Sequence, residues 1–292
     1  MISVVVPAYN CASWLPEAID SLLAQTHRDR EIVVVDDGST DDTLAVLARY
    51  GDRIRIVRST NGGLAAARNL GLAHVRGDWV AFHDADDVAL PDRLAVLLAF
   101  IERTPGIEAV FADGERMDDG TRIVPARMTA RLAGQRLGAK DLFKGFPAYF
   151  QASLVPRAAF ARAGTFDPDF RIHPDNDYAY RLFATCPTAY MDRVVFRYRW
   201  HESNITRDWL VGREELSRTL ERLLQEDPTS VASIGEERVR EQLARHLHRT
   251  GRRRLKRGDV EPARRQLTRA LELKPRNLIY RYHYWRALWA PE

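Results

Sequence analysis

Cysteine is scarce in this 292-residue chain, which has only Cys11 and Cys186. Two thiols cannot build a disulfide framework or a cysteine zinc site, and they suit a reducing compartment. Long apolar runs are scarce too. Stretches such as Ile32–Val35 and Leu94–Ile101 fall far short of the roughly 18 residues of a membrane span. No secretory leader is expected, because Met1–Pro7 reads as a strand without a basic segment or a small-residue cleavage site. Neither sign of charge dominates, with a net charge of +4, 45% hydrophobic and 29% charged residues. That balance excludes a disordered or fibrous protein. A cytoplasmic globular chain is expected, with one large domain or two modest ones at roughly 100–200 residues each.

The small net charge conceals a division. Residues 206–292 carry 20 lysines and arginines against 13 acidic residues, whereas residues 1–205 carry 24 against 27. Two regions are therefore expected, 1–205 and 206–292. A basic tail can meet nucleic acid, anionic lipid or an acidic partner, or be a solvated face.

Within the first hundred residues two periods alternate. Ile2–Val6, Glu31–Val35, Arg53–Val57 and Asp78–Phe82 are short β-branched runs. Helical spacing fills the gaps at Trp14–Gln25, Asp41–Arg49, Leu64–Val75 and Pro91–Arg103. Ser13 is a candidate cap for the first helix and Ser39 or Thr40 for the second, with Pro91 in the first turn of the fourth. The strands are continuously apolar, as in a parallel sheet covered on both faces. Short links between alternating strands and helices predict an α/β fold with right-handed crossovers. Glu108–Ala112, Gln151–Val155 and Ala189–Trp200 read as further strands, Asp141–Tyr149 as a short helix, and Asp177–Thr185 as a longer one. Beyond Ser203 the chain turns helical at Trp209–Gln225, Gly235–Lys256, Glu261–Leu273 and Asn277–Leu288.

Ligands of an open parallel sheet bind beyond the carboxyl ends of its strands. Polar clusters stand at four such points: Pro7-Ala8-Tyr9-Asn10, Asp36 to Asp41, Asn61-Gly62-Gly63, and His83-Asp84-Ala85-Asp86-Asp87. Each alone would pass for a loop with capping residues. In an extended segment Asp84 and Asp86 would face one way. Paired carboxylates there favour a hard divalent cation, Mg²⁺ or Mn²⁺, which can hold a substrate diphosphate. Asp87 could instead cap the following helix.

The runs SVVVPAYN, EIVVVDDGSTDDT, NGGLAAARNLGL and GDWVAFHDADD, in that order across residues 2–103, resemble the family 2 inverting glycosyltransferases with the GT-A fold. GTFDPDFRIHPDNDYAYRLF resembles the family's acceptor-side region more loosely, and the likeness does not reach the helical tail. The resemblance implies a mostly parallel GT-A sheet flanked by helices. It also implies that Pro7, Tyr9 and Asp37 line a nucleoside pocket, with Asp37 accepting a hydrogen bond from a uracil-type base. Arg68 then reaches the nucleotide, Asp84 lies nearest the ribose, and Asp86 ligates Mn²⁺ or Mg²⁺. His83 has no role in the match and reads as structural.

Family members carry an acidic residue six positions before an arginine near a helix start, and Asp175 with Arg181 has that spacing. This makes Asp175 the candidate base, with Asp177 its rival, though either could merely cap the helix. Tyr198-Arg199-Trp200-His201, followed by Ser203, resembles a segment whose histidine approaches the metal, so His201 is a second candidate ligand. The pocket is expected around Tyr149, Phe150 and Trp200.

The reading is a metal-dependent inverting glycosyltransferase. It takes a nucleotide-sugar donor, a UDP-sugar, and a saccharide or glycolipid acceptor of bacterial surface-polysaccharide or glycolipid assembly. Its rivals are a sugar-phosphate nucleotidyltransferase and a non-catalytic scaffold, although the acidic set Asp37, Asp84, Asp86 and Asp175 is intact. No nucleic-acid partner is expected. In the tail, Ala244, Gly251, Leu255, Gly258-Asp259, Ala263, Ala270-Leu271, Leu273 and Pro275 resemble one tetratricopeptide unit, a pattern that an ordinary helical hairpin explains as well. Its leucines, Leu243, Leu247, Leu255, Leu267 and Leu271, are expected to dock on protein. Peripheral contact with the inner membrane face is the alternative.

Overall fold

In a computed structural model that describes residues 1–117, 130–202, 204 and 208–290, the first apolar run forms β1 (Ile2–Ala8), buried at every position. It lies parallel to β2 (Arg30–Asp36) on one side and β4 (Trp79–Phe82) on the other. The outer strand β3 (Arg55–Arg58) pairs with β2 and alternates half-buried and exposed residues, as an edge strand should. The helices α1 (Leu15–Leu23), α2 (Thr43–Ala48), α3 (Gly63–His74) and α4 (Arg93–Arg103) separate these runs. The alternation read from the sequence is therefore the observed one.

The second half departs from pure parallel order. β7 (Ser153–Pro156) runs antiparallel to β4 and to β6 (Ala109–Arg116). β6 is parallel to the long β8 (Thr188–Tyr198), and the two-residue β5 (Val88–Ala89) closes the sheet against β8. The full order is β3-β2-β1-β4-β7-β6-β8-β5. β5 is too short to leave a period in the sequence. The expected helix at Asp141–Tyr149 is represented by α5 (Ala139–Phe143) and a 3-10 turn at Phe150–Ala152. Two more helices follow, α6 (Arg157–Ala163) and α7 (Pro174–Thr185).

Helix starts rest on other groups than the hydroxyls expected. Trp14 and Asp42 occupy the N-cap positions of α1 and α2 without a side-chain cap bond. Instead the Asp41 carboxylate accepts the Thr43 and Ala12 amides at 3.0 and 3.1 Å. Asp87 does not cap α4, whose N-cap is Asp92. It is fully buried and accepts the Arg199 amide at 3.0 Å.

The chain forms two compact units, Met1–Asn204 and Ile205–Glu292. In the second, α8 (Trp209–Glu226), α9 (Pro228–Ile234), α10 (Glu236–Lys256), α11 (Val260–Leu273) and α12 (Leu278–Leu288) follow one another. Asp208, Asp227 and Asn277 cap α8, α9 and α12 with their side chains. α10 packs on α8 and α11, burying Leu243, Leu247 and Leu267 while Leu255 and Leu271 stay half-buried. A Cβ on Gly251 would lie 2.8 Å from Leu267 Cγ, so the glycine permits the close approach of α11. Among the described residues no helix is long and apolar enough to cross a membrane.

Candidate active site

The site is organised by a buried arginine. α3 lies close on the sheet because Gly71 has no side chain: a Cβ there would be 2.3 Å from Val5 Cγ1. Three residues earlier, the Arg68 side chain has no exposure at all. Its guanidinium lies 5.4 Å from the ring centroids of Phe82 and Phe166. One amino group donates to Asp84 Oδ1 at 3.2 Å, and the other pairs with Asp175. Burial would lower the arginine's pKa, but Asp175 and Asp84 outweigh it and raise it. The guanidinium is thus turned to two carboxylates, each 23% exposed.

Asp84 is held from its other side by Gln151, whose amide nitrogen donates to Oδ2. Gln151 is buried in the turn before β7 and was not singled out from the sequence. The only available signal was a polar residue heading an apolar strand. The segment Asp84–Asp87 is a turn, closed by the Asp87 amide on the Asp84 carbonyl at 3.2 Å, so the alternation of an extended strand does not apply to it. Asp84 and Asp86 are nonetheless neighbours. Burial raises the Asp86 carboxyl, and the Asp84 charge raises it further.

Asp86 Oδ2 meets His201 Nε2 at 2.9 Å, and the His201 ring stacks on Trp14 with centroids 4.1 Å apart. Arg199 fixes the segment that delivers the histidine: its Nε donates to the Asp86 carbonyl at 2.9 Å, and its guanidinium pairs with Glu17. A carboxylate and an imidazole that already face one another are a fitting pair of ligands for a divalent cation. Among the described residues no three His, Cys, Asp or Glu side chains converge on one point. Were the two to hold an ion, the remainder of its shell would be left to other oxygens and water.

His83 is buried beneath this turn, 3.2 Å from the Asp87 carbonyl and 3.1 Å from an Arg93 amino group. Burial and then the Arg93 charge keep its pKa well below the usual histidine value. It is a neutral structural residue, as the sequence suggested. Asp87 is the reverse case, raised well above the carboxylate range by burial and by Asp86 and Asp84.

At the ends of β1 and β2, Pro7 is buried in register with Val35 while Tyr9 is 48% exposed. Asn10 has a left-handed φ of 48°, and its side-chain carbonyl accepts the Thr40 amide at 2.8 Å. Asp37 is buried, its oxygens accepting the Gly62 amide at 2.9 Å and the Gly63 amide at 2.7 Å. It therefore shapes the start of α3, and a base could use only its remaining lone pairs.

The two acidic candidates on α7 separate cleanly. Asp175 faces Arg68, whereas Asp177, with a side chain 2% exposed, pairs with Arg181 at 3.2 Å. Arg181 in turn donates to the Ala163 and Thr165 carbonyls at 2.6 and 2.9 Å. Neither acid caps the helix, whose N-cap is His173. Burial pushes the Asp175 carboxyl up to about 6, with Arg68 pulling it down and Asp84 pushing it up. Of the expected pocket residues, Tyr149 is half-buried and Trp200 is 50% exposed. Phe150 is fully buried and packs edge-on to Phe82, Phe111 and Phe166, so it belongs to the aromatic core. Ser203 lies outside the described residues.

A sequence profile described as Glycosyl transferase family 2 matches residues 3–162. The chain is 27% identical over 219 residues to an uncharacterized glycosyltransferase of Rickettsia prowazekii, covering 74% of this chain and 69% of that one. S. aureus TarS 1-349, solved in complex with UDP-GlcNAc, aligns with a TM-score of 0.65 at 20% identity, covering 98% of this chain and 79% of that one. Mannosyltransferase PcManGT from Pyrobaculum calidifontis, solved with GDP-Man and Mn2+, aligns with a TM-score of 0.62 at 20% identity, covering 100% and 88%. These likenesses show the fold: a mixed, mostly parallel eight-stranded sheet of GT-A-like layout, followed by C-terminal helices.

Proposed function

Because the chain belongs to glycosyl transferase family 2, we propose that it moves a sugar from a UDP-sugar to an acceptor hydroxyl, with inversion at the anomeric carbon. The observation that carries this reading is the double pairing of Arg68. It sets a carboxylate from the β4 loop and one from the start of α7 on a single guanidinium. In this reading the first carboxylate serves the donor and the second the acceptor hydroxyl.

Tyr9, Pro7 and Asp37 hold the nucleoside, and Asp84 faces the ribose. Arg68 positions Asp84 and Asp175. Asp86 and His201 would hold Mn²⁺ or Mg²⁺, and the imidazole favours Mn²⁺. When bound, the ion offsets the negative charge of the donor diphosphate. Asp175 takes the proton of the acceptor hydroxyl as its oxygen bonds to the anomeric carbon. The bond from that carbon to the phosphate oxygen breaks on the opposite face, and UDP leaves with the electron pair. The acceptor is a saccharide or glycolipid hydroxyl of bacterial surface-polysaccharide or glycolipid assembly.

The nucleotide-sugars and Mn2+ held by the two solved neighbours support donor and metal classes of this kind. The test is a heat-stability screen of the purified chain with UDP-, GDP- and dTDP-sugars, each with and without Mn²⁺. Stabilisation by UDP-sugars that requires Mn²⁺ is expected. Equal stabilisation by none or all of them contradicts the reading.

A further inference from the structure

α12 has apolar residues on two opposite sides. Tyr280 and Ala287 are buried, and the helix packs on α11. On the other side Leu278, Tyr282, Trp285 and Trp289 are 74%, 58%, 56% and 82% exposed. The Trp289 amide still bonds to the Trp285 carbonyl at 3.3 Å, so the last tryptophan continues the helical turn. At about 100° per residue these four side chains fall within about 60° of arc, opposite Tyr280 and Ala287. Arg281 and Arg286 are exposed and border the stripe, one on each side. The sequence has no acidic residue from Lys274 to Ala290. Neither bordering arginine joins an ion pair among the described residues, and Arg286 lies 5.9 Å from the Tyr282 ring.

An exposed aromatic stripe of this size calls for a covering surface. A second copy of the chain would set one arginine-bordered stripe against another across a two-fold axis, like charge facing like charge. An acidic protein would answer the arginines but not the tryptophans. A layer of anionic headgroups over acyl chains answers both, because tryptophan and tyrosine seat at the boundary and arginines reach the phosphates. The geometry points to α12 as an interfacial helix that docks the chain on an anionic bilayer surface. This docking does not depend on the identity of the donor or acceptor.

Flotation of the full-length protein tests it, with vesicles of phosphatidylglycerol and phosphatidylcholine against vesicles of phosphatidylcholine alone. The protein is expected to float with the anionic vesicles and to be released in part by high salt. Trp285→Ser with Trp289→Ser should weaken vesicle affinity at least about tenfold. Arg281→Gln with Arg286→Gln should remove the preference for anionic lipid. All four side chains are exposed, so both variants should keep the wild-type circular dichroism and melting temperature. Failure to float overturns the proposal, as does flotation that neither variant changes. A lipid-free dimer that the tryptophan variant abolishes would assign the face to a second copy and overturn it too.

Discussion

Arg68 ion-pairs with Asp175, 107 positions further along the chain, while its side chain has no contact with solvent. A guanidinium buried without its counter-charges would be strongly destabilising, so the first unit cannot place α3 correctly without also placing the start of α7. The same group holds Asp84 at 3.2 Å. The turn after β4 and the head of α7 are thereby fixed to each other through one side chain.

With Asp175 as the proposed base, transfer should depend on pH. Burial pushes its carboxyl up to about 6, and a base works only when deprotonated. Transfer should therefore rise with pH through about 6 and level off above it. The residual rate of Asp175→Asn should lack that limb. A wild-type rate that falls with rising pH across the same range contradicts the assignment.

Asp177→Asn should act on stability. Its carboxylate fixes Arg181, which in turn holds two carbonyls of the segment before α7. The variant is expected to lose about 1–3 kcal/mol in urea unfolding, because the buried charge-assisted bond is weakened. UDP release from a UDP-sugar should stay within about tenfold of wild type.

Asp86→Ala removes one of the two facing groups proposed to hold the metal and leaves Arg68, Asp84 and Asp175 in place. UDP affinity of the variant, read by calorimetry, should no longer respond to Mn²⁺. Chelating the metal from the wild-type protein should give the same affinity as the variant. Mn²⁺-dependent binding that survives the substitution would show that the ion sits elsewhere.

Gly71→Ala probes the seat of α3 on the sheet. The added Cβ would meet Val5 Cγ1 at 2.3 Å in the core of β1. Overpacking of this kind costs about 1–3 kcal/mol, and it would shift Arg68 one turn away. A lower melting temperature together with weaker UDP binding is expected.

The sequence made the first half of the fold readable because β1, β2 and β4 are continuously apolar and each ends in a polar cluster. It also placed Asp84, Asp86, Asp175 and His201 as candidates, which the structure brings into two adjoining pairs through Arg68 and the Asp86–His201 contact. The reversal of β7 was not legible, since a four-residue apolar run carries no direction. Gln151, Trp14 and Arg199 were missed as site residues because their roles arise from contacts 67, 187 and 113 positions away, respectively. Asp175 and Asp177 could not be told apart by spacing. Only the turn of α7 shows that one faces Arg68 and the other Arg181.

The most direct measurement is donor binding and UDP release on one preparation of Asp175→Asn, with Mn²⁺ present. Asparagine keeps the size of the side chain and an acceptor oxygen for Arg68 but is not a base. UDP-sugar should bind as in the wild type while UDP release falls at least about 10²-fold. Undiminished release from Asp175→Asn, with Asp177→Asn silent in its place, would contradict the assignment of the base.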